Sequence, residues 1–172
     1  MAIGLALRVC ASIGALLGTP TVGMATSPVA QRQDPAKDLY HDIVVDALKA
    51  EGWAITHDPL FLGYGGRTLY VDLGVVNETL AAEKNGVRLA VEIKSFVRPS
   101  PVEDLQEALG AYAMYRAVLA DTDATCKLYM AVPLRAWQGI FAEPLGQLML
   151  EKEQLRVIVY DLKTRSIVKW IN

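Results

Sequence analysis

The stretch Leu89-Ala90-Val91-Glu92-Ile93-Lys94 constrains this chain more than any other. Its apolar and β-branched residues read as a strand, on which side chains two apart point the same way. Leu89, Val91 and Ile93 then form one apolar face, and Glu92 and Lys94 emerge together from the other. A carboxylate and an ammonium taken out of water are costly unless each finds a partner. The fold therefore has to bring a matching group to that face. An earlier strand, read over residues 68–74, offers one: in Leu69-Tyr70-Val71-Asp72-Leu73 the apolar face is Leu69, Val71 and Leu73, and Asp72 lies opposite. If the two strands are neighbours, Asp72 joins Glu92 and Lys94. Two such carboxylates can hold magnesium or manganese through oxygen. The cation would polarise a phosphoryl oxygen, and the lysine can orient a water and offset developing negative charge. Phosphodiester hydrolysis fits the trio. The same spacing also fits an aspartate closing a turn at Gly74 and an ion pair on a solvated sheet face.

Periodicity sets the trio in an α/β frame. Leu39, Ile43, Val44, Ala47 and Leu48 share a helical face over residues 37–51, with Asp34-Pro35 before it and Gly52 after. Residues 53–56 and 88–96 read as further strands, and Gly63-Tyr64-Gly65-Gly66 as a hairpin turn. Ser100, Pro101 and Glu103 make a strong helix start. That helix is expected to reach about residue 119, burying Leu105, Ala108, Leu109, Tyr112 and Ala113. Residues 127–132 form a strand, short helices cover 134–141 and 144–151, and residues 155–160 and 166–171 pair as a hairpin. The predicted order is one helix, three strands, a helix, a strand, helical pieces and two strands, which gives an α/β domain with a mixed sheet flanked by helices.

Charge narrows the function classes. The chain has 17 Lys+Arg against 19 Asp+Glu. Arg8 and Arg32 are the only charged side chains in residues 1–33, so 15 basic and 19 acidic residues remain from Asp34 onward. A net charge near −4 is not the footprint of a protein that grips nucleic acid by charge alone. Cys10 and Cys126 make no disulfide framework or zinc spacing. Residues 1–33 are rich in Ala, Gly, Ser, Thr and Pro, and their apolar run from Val9 to Leu17 is too short to span a membrane. They read as a disordered extension, a start-site error or a weak secretory leader, the last being the poorer fit.

Several segments together carry a family resemblance: Asp38-Leu39-Tyr40-His41, Gly52-Trp53, Thr56-His57-Asp58-Pro59-Leu60, Leu69 to Gly74, Val91-Glu92-Ile93-Lys94-Ser95-Phe96, Glu143 to Leu148, and Val168-Lys169-Trp170-Ile171. Over residues 37–172 the chain resembles the XisH family, the fdxN-element excision controlling factors. Its Asp, then Glu-x-Lys on the next strand, is similar to the PD-(D/E)XK nuclease pattern, with Val71 where that pattern has proline. The resemblance implies a restriction-endonuclease-like fold, with Asp72 and Glu92 as magnesium ligands and Asp72, Glu92 and Lys94 as catalytic residues. It further implies DNA as substrate or target, a XisI-type protein partner, a site-specific recombinase in the same pathway, and a cytoplasmic protein. Two departures stand out. His41 occupies roughly the place of a first-helix glutamate, and Ala111 stands four residues before Tyr115 where related proteins carry Gln-x-x-x-Tyr. A metal-dependent endonuclease and a non-catalytic regulatory module that binds a partner or DNA are both consistent with this pattern.

Other polar residues read more plainly. Asp58-Pro59 suits a turn, His57 has no assigned role, and His41 reads as a polar helix residue. Lys84, Arg98 and Arg116 are candidate phosphate contacts or members of a solvated face. Trp137, Phe141 and Trp170 are expected in the core or an interface.

Overall fold

In a computed structural model, residues 35–77 and 87–172 are described, with side chains from residue 39. The extension expected over residues 1–33, and Lys84, lie outside them. Helix α1 (Pro35–Ala50) leads into β1 (Ala54–His57), β2 (Leu60–Tyr64), β3 (Arg67–Val71), β4 (Leu73–Asn77) and β5 (Val87–Ile93). Then come α2 (Pro101–Thr122), β6 (Lys127–Pro133), α3 (Leu134–Gln138), α4 (Pro144–Lys152), β7 (Val157–Asp161) and β8 (Ser166–Ile171). Six strands form a mixed sheet in the order β1-β4-β5-β6-β7-β8, parallel only at β5-β6 and β6-β7. β2 and β3 form a separate two-stranded sheet.

The sheet is sandwiched. On one face Ile43, Val44 and Leu48 of α1 cover Leu73, Val75, Leu89, Val91, Ala131, Ile158 and Tyr160. On the other, Leu105, Ala108, Tyr112 and Leu119 of α2 pack with Ala90, Leu128, Met130, Val157 and Val159. Apolar residues therefore alternate between the two covered faces along β6 and β7, as a doubly covered sheet requires. The α2 stripe differs from the expected one: Leu109 is half-buried and Ala113 exposed, and the seam continues to Leu119 instead. Leu39, expected on the buried side of α1, is 51% exposed. As expected, the Ser100 hydroxyl caps α2, accepting from the Glu103 N–H at 3.3 Å.

The strand expected over residues 68–74 is two strands. β3 pairs with β2 (Leu62 opposite Leu69), whereas β4 pairs with β1 and β5 (Leu73 opposite Val91). The chain changes sheets at Asp72, so Val71 packs on the α2 side and Leu73 on the α1 side. The unbroken alternation through 69, 71 and 73 conceals this switch. Five strands, not three, thus precede α2. Gly63 and Tyr64 belong to β2, and the turn is Gly65-Gly66, with φ of 55° and 76°. Positive φ at both positions is what a two-residue primed hairpin turn demands.

One buried hydroxyl ties α2 to the sheet. Tyr112, 1% exposed, donates to the Leu128 carbonyl (3.3 Å) and accepts from the Arg156 N–H (3.1 Å). Tyr112→Phe keeps the ring and strands both backbone groups. It is expected to cost about 1–2 kcal/mol in urea denaturation; an unchanged midpoint would mean that neither bond contributes.

Candidate active site

Because β5 places Leu89 and Val91 on the α1 face, Glu92 points to the α2 face, as the strand alternation predicts. β4 lies beside β5, and Asp72, at the bend just before β4, reaches across: its Oδ2 accepts the Ile93 N–H at 2.7 Å. Lys94, one residue past the end of β5, puts Nζ 3.0 Å from Glu92 Oε1 and 3.8 Å from Glu107 Oε1 on α2. The three residues singled out by the strand pattern therefore meet in one pocket of about 290 Å³, which Tyr40, His41, Arg98, Asp104 and Glu107 also line.

Glu92 is only 5% exposed, and its Oε2 is buried without a hydrogen-bond partner among the described residues. Burial, and then the charge of Asp72, push its carboxyl up to about 7, while Lys94 pulls the other way. A carboxylate whose affinity for a proton is raised by burial and by a neighbouring anion, with one oxygen idle, is poised to accept either a proton or a cation. Among the described residues no three His, Cys, Asp or Glu side chains converge as a metal cluster. Two carboxylates are nonetheless enough for magnesium, which keeps several waters and takes the remaining ligands from phosphate. Glu92 Oε2 and Asp72 Oδ1, neither of which makes a hydrogen bond among the described residues, are the atoms that fit such a cation.

The surroundings hold features that the sequence did not disclose. Arg98, a candidate phosphate contact, is engaged by Asp104 and Glu107. Arg116, a second such candidate, is bound to Glu153. His41 joins the pocket wall, with Nε2 3.0 Å from Asp58 Oδ1, so both residues do more than the helix-surface and turn roles expected of them. Tyr115 donates to the Tyr70 carbonyl at 2.9 Å, and burial followed by the charges of Glu92 and Asp72 pushes its hydroxyl up to about 12. His57 stays apart from the trio, next to Thr56 and Gly74. Arg135 holds the loop after β5: it donates to the Ser95 and Phe96 carbonyls and to the Tyr40 hydroxyl. Phe96 turns there with φ 51° and meets Phe141 edge-on. Phe141 is fully buried, Trp137 stacks on it, and Trp170 lies between Trp53 and Tyr129, in keeping with the expected core roles.

Fold and site together define a mixed α/β protein whose central sheet opens, beside α2, into an acidic pocket holding one lysine. The family described as XisH protein matches residues 34–168, and the chain belongs to the XisH family. The crystal structure of an XisH family protein from Nostoc punctiforme is 34% identical with a TM-score of 0.70, over 78% of this chain and 100% of its own. That of a fdxN element excision controlling factor protein from Anabaena variabilis is also 34% identical with a TM-score of 0.70, over 78% of this chain and 99% of its own. No curated protein matches the chain. Among the described residues no helix is long and apolar enough to cross a membrane.

Proposed function

We propose that the chain is a divalent-metal-dependent endodeoxyribonuclease of the PD-(D/E)XK kind, acting as an excision controlling factor on DNA. The observation that carries the reading is Glu92 Oε2, without a hydrogen-bond partner among the described residues and buried beside Asp72 and Lys94 at the sheet switch. Asp72 and Glu92 would hold magnesium or manganese, which supplies the positive charge that polarises a phosphoryl oxygen and acidifies a water. The pocket's own charge makes such a cation necessary. Asp72, Glu92, Asp104 and Glu107 face only Lys94 and Arg98, so a phosphate meets net repulsion until positive charge is added. Lys94, fixed between Glu92 and Glu107, orients the attacking water and stabilises charge developing on the phosphate. The Ile93 N–H holds Asp72 in place. A XisI-type protein and a site-specific recombinase are the proposed partners in the same process, and the name of the Anabaena variabilis relative supports the link to element excision.

The same acidic balance favours a second reading. With Arg98 already neutralised by Asp104 and Glu107, the domain would serve as a non-catalytic module acting through its protein partner. Supercoiled-plasmid nicking by the full chain, with magnesium or manganese and with or without the XisI-type partner, separates the two. Cleavage that disappears in EDTA and in Lys94→Ala is expected. No cleavage under any of these conditions by folded protein would leave the regulatory module.

A further inference from the structure

We propose that the Tyr40 hydroxyl, fixed by Arg135, is the pocket's neutral hydrogen-bond donor to the substrate, touching a non-bridging oxygen of a DNA backbone phosphate. This rests on the DNA reading above and adds to it a substrate contact from α1 and a positioning residue from α3.

Donor chemistry sets the direction of the bond between the two side chains. A guanidinium carries donors only, whereas a phenol carries one donor and an acceptor oxygen. Arg135 Nη1 lies 3.1 Å from the Tyr40 hydroxyl, so that oxygen accepts and the phenolic proton remains to be given elsewhere. Among the described residues no acceptor takes it. Tyr40 lines the pocket with Asp72, Glu92 and Lys94. It also packs against the α1 side of the core, a role that needs the ring and not the hydroxyl.

Arg135 is placed to hold that hydroxyl at the pocket wall. It stands in α3, directly after β6, and β6 pairs with β5. The Lys94 N–H donates to the Ala131 carbonyl of β6 at 2.9 Å. Arg135 Nη2 then donates to the carbonyls of Ser95 and Phe96, which flank the left-handed turn at Phe96. One guanidinium therefore ties the Tyr40 hydroxyl to the loop that leaves Lys94.

Charge and geometry separate Tyr40 from the other donors of the pocket. Lys94 is ion-paired with Glu92 and Glu107, and Arg98 with Asp104 and Glu107. Arg135 makes no ion pair among the described residues; carbonyls and a phenol are its partners. Its charge polarises the O–H, and a bond from that hydroxyl to an ionised phosphate is of the stronger, charge-assisted kind. His41 turns its ring nitrogens toward Asp58 and Asp42, at 3.0 and 3.7 Å. Ser95 also lines the pocket, but its hydroxyl has no hydrogen bond among the described residues to orient it.

The test is fluorescence anisotropy of the full chain with a labelled blunt duplex, with calcium in place of magnesium so that the pocket carries a cation. Thermal melts check that each variant is folded. Tyr40→Phe, which removes one oxygen, should weaken duplex binding about tenfold or more. The salt slope should stay as in wild type, since no charge is lost. Ser95→Ala should weaken binding less. Arg135→Gln should cost much less in the Tyr40→Phe background than in wild type, because the two side chains act as one. A purely structural Arg135 would cost the same in both backgrounds, and that additivity would overturn the pairing. No duplex binding by wild type, binding unchanged in Tyr40→Phe, or an equal loss in Ser95→Ala would overturn the proposal. Plasmid nicking in magnesium separates it from the reading it rests on. Cleavage with binding indifferent to Tyr40→Phe sinks the Tyr40 contact alone, and Tyr40-dependent binding without cleavage sinks the hydrolysis alone.

Discussion

Glu92→Gln is expected to abolish metal-dependent plasmid cleavage, by at least about a hundredfold, and at the same time to stabilise the metal-free protein at pH 8. Both effects come from one buried carboxylate. For catalysis, the amide removes the negative oxygen that would share a cation with Asp72, while Asp72 keeps its hydrogen bond to Ile93. For stability, the sign follows from the displaced titration. The Glu92 carboxyl is raised in the folded protein to about 7, from 4.5. The folded state therefore binds the proton more tightly than the unfolded chain, and that contribution is fully present below pH 4.5. It is lost as the pH rises through 7, where the fold must carry a buried anion. The penalty at pH 8 is on the order of 3 kcal/mol. The glutamine, neutral at every pH, avoids it, and Lys94 keeps Glu107 as a neighbour.

Thermal melts in EDTA should therefore place Glu92→Gln roughly 6–12 °C above wild type at pH 8, with the gap narrowing by pH 5. Magnesium should raise the wild-type melting temperature at pH 8 and leave the variant unmoved, because only the wild type gains a bound cation. A variant less stable than wild type at pH 8 would show that the Lys94 ion pair outweighs the desolvation of Glu92. A variant that still cleaves would remove Glu92 from the site.

How much of this was legible in the sequence depends on whether the deciding force was local. The parity of β5 was legible, since a strand imposes a period of two and Glu92 and Lys94 break an apolar face in register. The β7-β8 hairpin and the Ser100 cap were legible for the same reason: turn and cap chemistry act over a few residues. The sheet switch at Asp72 was not. Leu69, Val71 and Leu73 alternate without a break, and only the partners of β3 and β4 assign Val71 and Leu73 to opposite faces. β2 was hidden because Gly63, a turn former by composition, serves here as a strand residue on an open face. Residues far apart in sequence supply the rest of the pocket: His41 meets Asp58 seventeen positions away, and Glu107 meets Lys94 only because α2 docks over β5. No periodicity within either segment encodes those contacts.

Gly146→Ala and Gly110→Ala are the same chemical change in two helices, and opposite outcomes are expected. A Cβ on Gly146 would stand 2.0 Å from the Ile140 carbonyl oxygen and 2.6 Å from the Phe141 Cα. Both are backbone atoms, so no side chain can swing away to make room. The first turn of α4 seats directly on this segment, and the Gln147 amide donates to the Phe141 carbonyl at 2.5 Å. Phe141 in turn carries its ring into the core against Trp137 and Phe96. Accommodating the methyl means lifting α4 away from this turn or shifting Phe141, at a cost of about 3 kcal/mol or more. At Gly110, exposed midway along α2, nothing lies within 4 Å of the added carbon. The alanine there gains helix propensity and restricts the unfolded chain, for about 0.5–1 kcal/mol of stabilisation. Urea denaturation of the two variants beside wild type reads both signs. A Gly146→Ala midpoint equal to wild type would mean that α4 does not seat on residues 140–141. Losses of similar size at both positions would point instead to a general intolerance of bulk. The expected split requires the Glu143-Pro144-Leu145-Gly146 segment to be selected by that close backbone contact, which explains in physical terms why a glycine interrupts a helix otherwise built from Pro144, Leu145, Leu148, Met149 and Leu150.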